Sequence, residues 1–152
     1  MAKAEKLEIP RWSVRIAVPN DLGFIIDSWL KTASRTYPNM HAVDFIADER
    51  ARVQRILGSS LSVVAHLALD ENELLGHLVY GRWRRTLVVH FGFVKPDARR
   101  HGVFSSMIDF ANFEKHPVVL TTPAQDDKVM ALLAKRYVYD QRVLPLMQRG
   151  DR

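Results

Sequence analysis

Residues 95–102, Lys-Pro-Asp-Ala-Arg-Arg-His-Gly, join an apolar run, Leu87 to Val94, to a segment with apolar residues at helical spacing, Val103, Met107, Ile108 and Ala111. A loop entering a helix presents backbone N–H groups that the helix itself leaves unused, and the helix dipole turns its positive end toward them. Such a junction binds anions. Lys95, Arg99 and Arg100 add positive charge at the same place. The ligand chemistry that fits is a phosphate. Two imidazoles stand close by in sequence, His90 in the apolar run and His77 in the run before it. An unperturbed imidazole titrates near neutral pH, which suits a general base acting directly or through water. A single histidine in a strand is more often a packed or half-exposed core residue.

Other chemistries are absent from the pattern. The chain has no cysteine, which excludes disulfides, thiol catalysis and cysteine-ligated metal. His41, His66, His101 and His116 show no metal-ligand spacing, so no metal is expected. No Ser-His-Asp arrangement and no Walker loop can be read.

The elements that must position these residues follow from periodicity and turn signals. Trp12 to Val18 reads as a short strand, after a loose basic lead-in over residues 1–11. Pro19-Asn20-Asp21 forms a turn into a helix over Asp21 to Ala33, with Leu22, Ile25, Ile26, Trp29 and Leu30 on one face. A second helix is expected over Val43 to Leu57. Strands follow at Leu61–Leu69, Leu74–Tyr80 and Leu87–Val94, joined at Asp70-Glu71-Asn72 and Gly81–Arg85 as an antiparallel meander. After the basic loop come a helix to about Phe113, a strand at Pro117–Thr121 and a helix at Asp126–Lys135. Closing strands stand around Tyr137–Tyr139 and Val143–Met147. At 152 residues and 47% hydrophobic, the chain suits one domain with a sizeable core.

The segment from Val94 to Ile108 resembles the acyl-CoA-binding core of the GNAT superfamily of N-acetyltransferases. That family's loop reads Arg or Gln, two residues, Gly, one residue, then Gly or Ala. Arg99, Gly102 and Phe104 occupy those positions here, with Phe104 where a small residue would let the backbone reach a pyrophosphate. Arg100 stands where the family most often has glycine. The order of elements matches along residues 12–149. The resemblance implies an α/β (α+β) fold, a mixed, mostly antiparallel sheet with a central splay, flanked by about four helices. Acetyl-CoA would lie in the splay, held by the backbone of Arg99, Arg100, His101, Gly102, Val103 and Phe104, with Phe93 and Val94 N–H groups facing its pantetheine arm.

The family often carries a glutamate on the strand before the loop, a position occupied here by Val88, and His90 lies on the same face. The resemblance thus implies His90 as base. A tyrosine common in the last helix falls at Leu133, which leaves Tyr137 or Tyr139 as the candidate acid. Substrate contact in the family comes from the loop between the first two helices and from strand hairpins, which implies Tyr37, Asn39, His41 and Asp44, with Trp83 and Arg84; His77, on the strand before His90, is expected at the same cleft. Asp44 also suits a cap of the second helix.

A net charge of +5 and a pI near 9.7 suit an anionic partner. Coenzyme A meets that requirement, and so does nucleic acid, whose direct support is the cluster Arg82-Trp83-Arg84-Arg85. The first reading is acetyl transfer from acetyl-CoA to a primary amine of a small molecule or protein. The second is a GNAT-fold binding or structural protein without catalysis. Phe24-Ile25-Ile26-Asp27-Ser28-Trp29-Leu30-Lys31 looks like the first helix of bacteriophage-encoded members of that kind. The third is a nucleic-acid-associated acetyltransferase. No apolar stretch reaches bilayer-spanning length and Met1 to Pro10 lacks a signal-peptide core, so a cytoplasmic location (the bacterial host's, if phage-encoded) and no membrane partner are expected. A homodimer is compatible with this reading.

Overall fold

A computed structural model of the chain describes residues 11–36, 42–111, 118–120 and 138–139. Strand β1 (Trp12–Ile16) leads through a 3-10 turn at Pro19–Asp21 into helix α1 (Leu22–Thr36), followed by α2 (Ala42–Gly58). Three strands come next, β2 (Leu61–Leu67), β3 (Asp70–Trp83) and β4 (Thr86–Val94). After the basic loop stand α3 (Val103–Ala111), β5 (Val118–Leu120) and β6 (Val138–Tyr139). The six strands lie in sequence order in one sheet. β1 to β4 pair antiparallel, whereas β5 and β6 join parallel, so the sheet is mixed and mostly antiparallel as expected.

Helices cover both faces. On one, Trp29 of α1 stacks on Phe91 of β4 at 4.9 Å, and α2 lies against α1 with Val53 and Ile56 buried. On the other, α3 crosses the strands with Val103, Met107 and Ile108 buried. Apolar residues at helical spacing account for both attachments. Three of the expected helices are among the described residues. The one expected at Asp126–Lys135 lies outside them, as does the strand at Val143–Met147.

Two turns differ from the expectation. β2 ends at Leu67, which faces Asp70 across a tight turn at Ala68 and Leu69. The polar run Asp70-Glu71-Asn72 belongs to β3 instead, and Leu69 projects fully into solvent. At its other end β3 continues to Trp83, which pairs with Thr86 across Arg84 and Arg85. Arg84 adopts φ 55°, the left-handed conformation that a two-residue hairpin requires, although neither glycine nor asparagine announces it.

The entry of β1 into α1 is fixed by charge. Asp21 is buried, accepts the Val18 N–H at 2.8 Å, and takes both guanidinium nitrogens of Arg15 at 2.6 and 3.2 Å. Burial opposes the carboxylate, but these hydrogen bonds and the Arg15 charge outweigh it and hold its pKa below the usual range. Asp21→Asn is therefore expected to destabilise the chain by about 1–2 kcal/mol, less than for a fully buried pair because Arg15 stays partly exposed. Urea unfolding checks this as a lowered midpoint at unchanged slope.

Candidate functional site

β4 pairs with β3 along its whole length but with β5 only through Leu87, Val88 and Val89. Among the described residues, the stretch from His90 to Val94 has no partner on the β5 side. The groups that β4 turns away from β3 can be read from the hydrogen-bond alternation of an antiparallel pair. Lys95 N–H donates to Leu75 O at 2.8 Å, so the bonded pairs continue at Phe93–His77 and Phe91–Val79. The N–H and C=O groups of Gly92 and Val94 consequently point away from β3. Val94 O is met there by Arg99 Nε at 2.9 Å. This corrects one expectation: the Phe93 backbone is turned to β3, while Val94 and the unforeseen Gly92 present theirs on the other edge of β4.

The loop that follows is the candidate anion site. After a 3-10 turn at Pro96–Ala98, Arg99 is extended, Arg100 has φ 65° and Gly102 has φ 89°. The two left-handed residues turn the chain sharply into α3. Ser106 N–H makes the first ladder bond of α3, to Gly102 O at 3.0 Å. The N–H groups of Val103, Phe104 and Ser105 are thereby left without an intrahelical acceptor. His101 is half-buried and Gly102 exposed in this turn.

Phe104 does not crowd the site as its bulk suggests. A Cβ placed on Gly92 would sit 2.9 Å from Phe104 Cε2 and 3.4 Å from Leu78 Cδ1. The ring therefore occupies the space above Gly92, on the sheet face under α3. The missing side chain at residue 92 accommodates the large one at residue 104. Trp12 is a further contributor that sequence reasoning missed. Its Nε1–H donates to Ser106 Oγ at 3.2 Å, and Ser106 Oγ–H donates to Gly102 O at 3.0 Å, tying β1 to the first turn of α3.

The two histidines face the α1–α2 side. Val79 pairs with Phe91 and Tyr80 with Val89, so β4 carries one extra residue, His90, as a bulge. His90 is 1% exposed. Burial, with the positive charge of Arg52 on α2, lowers its pKa to about 4. Arg52 is itself paired with Glu49 one turn earlier. His77 is fully buried, ringed by Phe24, Phe91 and Phe93 at centroid distances of 5.5–5.9 Å, and burial lowers its pKa to about 3. Ser28 has a single proton and its Oγ lies 2.8 Å from Phe24 O, so it accepts at 2.7 Å from His77 Nε2–H. His77 is thus a clamp between β3 and α1 and contacts no open surface, contrary to the substrate role expected of it.

The remaining candidates scatter. Asp44 is exposed in the first turn of α2, where its charge favours the helix dipole but it does not cap. Trp83 sits at the β3–β4 hairpin, at the far end of β4 from the loop, with the Arg84 guanidinium 4.8 Å over its ring. Tyr37, Asn39, His41 and Tyr137 lie outside the described residues.

No protein-family model and no curated protein matches the chain. Solved structures do. A Pyrococcus furiosus protein assigned as an acetyl transferase superposes with a TM-score of 0.62 at 14% identity, over 83% of this chain and 91% of that one. The ribosomal-protein-alanine N-acetyltransferase of Brucella melitensis gives 0.56 at 14%, over 84% and 92%. A predicted acetyltransferase of Clostridium acetobutylicum, solved with acetyl-CoA, gives 0.52 at 12%, over 86% and 90%. The chain has the fold of the GNAT-type acetyltransferases.

Proposed function

We propose that this protein transfers an acetyl group from acetyl-CoA to a primary amine of a small molecule or a protein. The observation that carries the reading is the edge of β4, where Gly92 and Val94 turn their backbone groups away from β3 beside the loop that enters α3. An extended ligand bearing amides can add to such an edge as a strand does, on the N–H and C=O groups of Gly92 and the N–H of Val94, whose C=O is held by Arg99. The backbone from Arg99 to Phe104 suits its diphosphate. Bound there, acetyl-CoA would supply a thioester, an acyl group already activated toward amines. A β4 N–H directed at the thioester oxygen would stabilise the negative charge that develops on attack.

His90 takes the remaining role. At neutral pH its imidazole is uncharged, the form a base requires. A group with so low a pKa does not strip a proton from a free ammonium ion. It suits the later moment, when the nitrogen has bonded to the acyl carbon and become strongly acidic. The acceptor therefore arrives as the neutral amine. A cytoplasmic setting, with its supply of coenzyme A, accords with this reading.

A binding protein without catalysis is the second reading, favoured by the 1% exposure of His90. Calorimetry with acetyl-CoA, paired with release of free thiol in the presence of amines, separates the two. Binding with turnover is the expected result, and binding alone would select the second reading. His90→Ala is expected to slow turnover by about 100-fold while sparing acetyl-CoA affinity. An unchanged rate would remove His90 as base.

A further inference from the structure

We infer that Trp12 and Arg100 form a subsite for the 3′-phosphoadenosine end of coenzyme A, an assignment that rests on the acetyl-CoA reading above. Three cations flank the loop, and two are committed. Lys95 Nζ binds Glu73 at 3.1 Å. Arg99 donates to Val94 O, with its guanidinium 5.9 Å over the Phe93 ring. Arg100 is exposed and, among the described residues, makes no hydrogen bond or ion pair.

Trp12 stands on the other side of Gly102. Its Cζ2 lies 3.9 Å from the position a Gly102 Cβ would take, and its Nε1–H is held by Ser106. One edge of the indole is thus fixed against the loop while the residue as a whole stays half-exposed.

Coenzyme A carries two anionic groups, a diphosphate and a ribose 3′-phosphate, and one flat base. The N–H groups of Val103, Phe104 and Ser105 match the diphosphate. The exposed Arg100, on the same loop, matches the second phosphate, to which a guanidinium can donate two parallel hydrogen bonds. A half-exposed indole with a pinned edge matches the adenine, since stacking on a ring that is already held costs little further entropy.

Each residue is thereby paired with one part of the ligand, and calorimetry with coenzyme A, 3′-dephospho-coenzyme A and 4′-phosphopantetheine tests both. Arg100→Gly is expected to weaken coenzyme A binding about tenfold and leave 3′-dephospho-coenzyme A unchanged. The same variant is expected to melt higher than the parent, because glycine adopts the Arg100 φ of 65° without strain. A gain in stability together with a loss of affinity is not what structural damage produces. Trp12→Leu is expected to weaken coenzyme A and 3′-dephospho-coenzyme A alike, about tenfold, and to spare 4′-phosphopantetheine. Equal losses for all three ligands, or no loss, in either variant would overturn that residue's assignment while leaving the acetyl-CoA reading in place. If the parent chain binds none of the three, the reading and the subsite fall together.

Discussion

Lowering the pH from 7 to 5 is expected to remove about 4 kcal/mol of folding stability, roughly 2 kcal/mol from each of His77 and His90. Both imidazoles are neutral in the folded chain because burial disfavours their charged forms, with pKa values lowered to about 3 and about 4. In the unfolded chain both return to about 6.5. Above that pH neither state binds a proton at these sites, and nothing is lost. Below it the unfolded chain takes up protons that the folded chain refuses, so stability falls as pH falls. The loss levels off near pH 4 for His90 and near pH 3 for His77. A domain of ordinary stability, about 5–15 kcal/mol, has little margin against such a change. Urea midpoints should therefore be flat from pH 8 to 7 and decline steeply below pH 6. Asp21 enters only lower on the scale, since its pKa lies below the usual carboxylate range. His77→Gln isolates one of the two groups: it should be weaker than the parent at pH 7 and lose about half as much between pH 7 and 5. Equal midpoints for the parent at pH 5 and 7 would contradict the burial of both rings.

These two rings also mark where the sequence stops being informative. Alternation of apolar and polar residues assigns a strand face only when one face meets water. From Leu74 to Gly81 every residue of β3 is buried, so nothing in the local pattern says which helix His77 meets. Its partner Ser28 lies 49 residues away. The bulge at His90 is likewise invisible, because it arises from the register between β3 and β4 and not from either strand alone. Local chemistry was legible. The loop at residues 95–102, the start of α3 and the apolar face of α1 are all written in short stretches of chain. Arg100 is instructive in this respect: the resemblance puts glycine there, and the backbone does adopt the left-handed conformation at that position. The Phe104–Gly92 contact was the reverse case. Each residue is odd alone, and the pair explains both only once β4 and α3 are stacked.

Gly102→Trp is expected to weaken acetyl-CoA binding at least about 100-fold and leave the fold standing. Two features decide this. Gly102 has φ +89°, so any side chain there is strained, at a cost of about 1–2 kcal/mol, which a domain of ordinary stability survives. Among the described residues a Cβ at Gly102 meets only Trp12 Cζ2, at an ordinary contact distance of 3.9 Å, so the new indole is not driven into the core. It projects from an exposed position beside the N–H groups of Val103, Phe104 and Ser105, the place a diphosphate must occupy. Gly92 is the useful contrast, since a Cβ there meets the Phe104 ring at 2.9 Å and strikes at the junction of sheet and helix. Substitution at Gly92 should lower the urea midpoint with any loss of affinity following from unfolding, whereas substitution at Gly102 should abolish the calorimetric signal while most of the parent's resistance to urea remains. Retained affinity in Gly102→Trp would show that the anion is held elsewhere, because no diphosphate and indole can share the space above that residue.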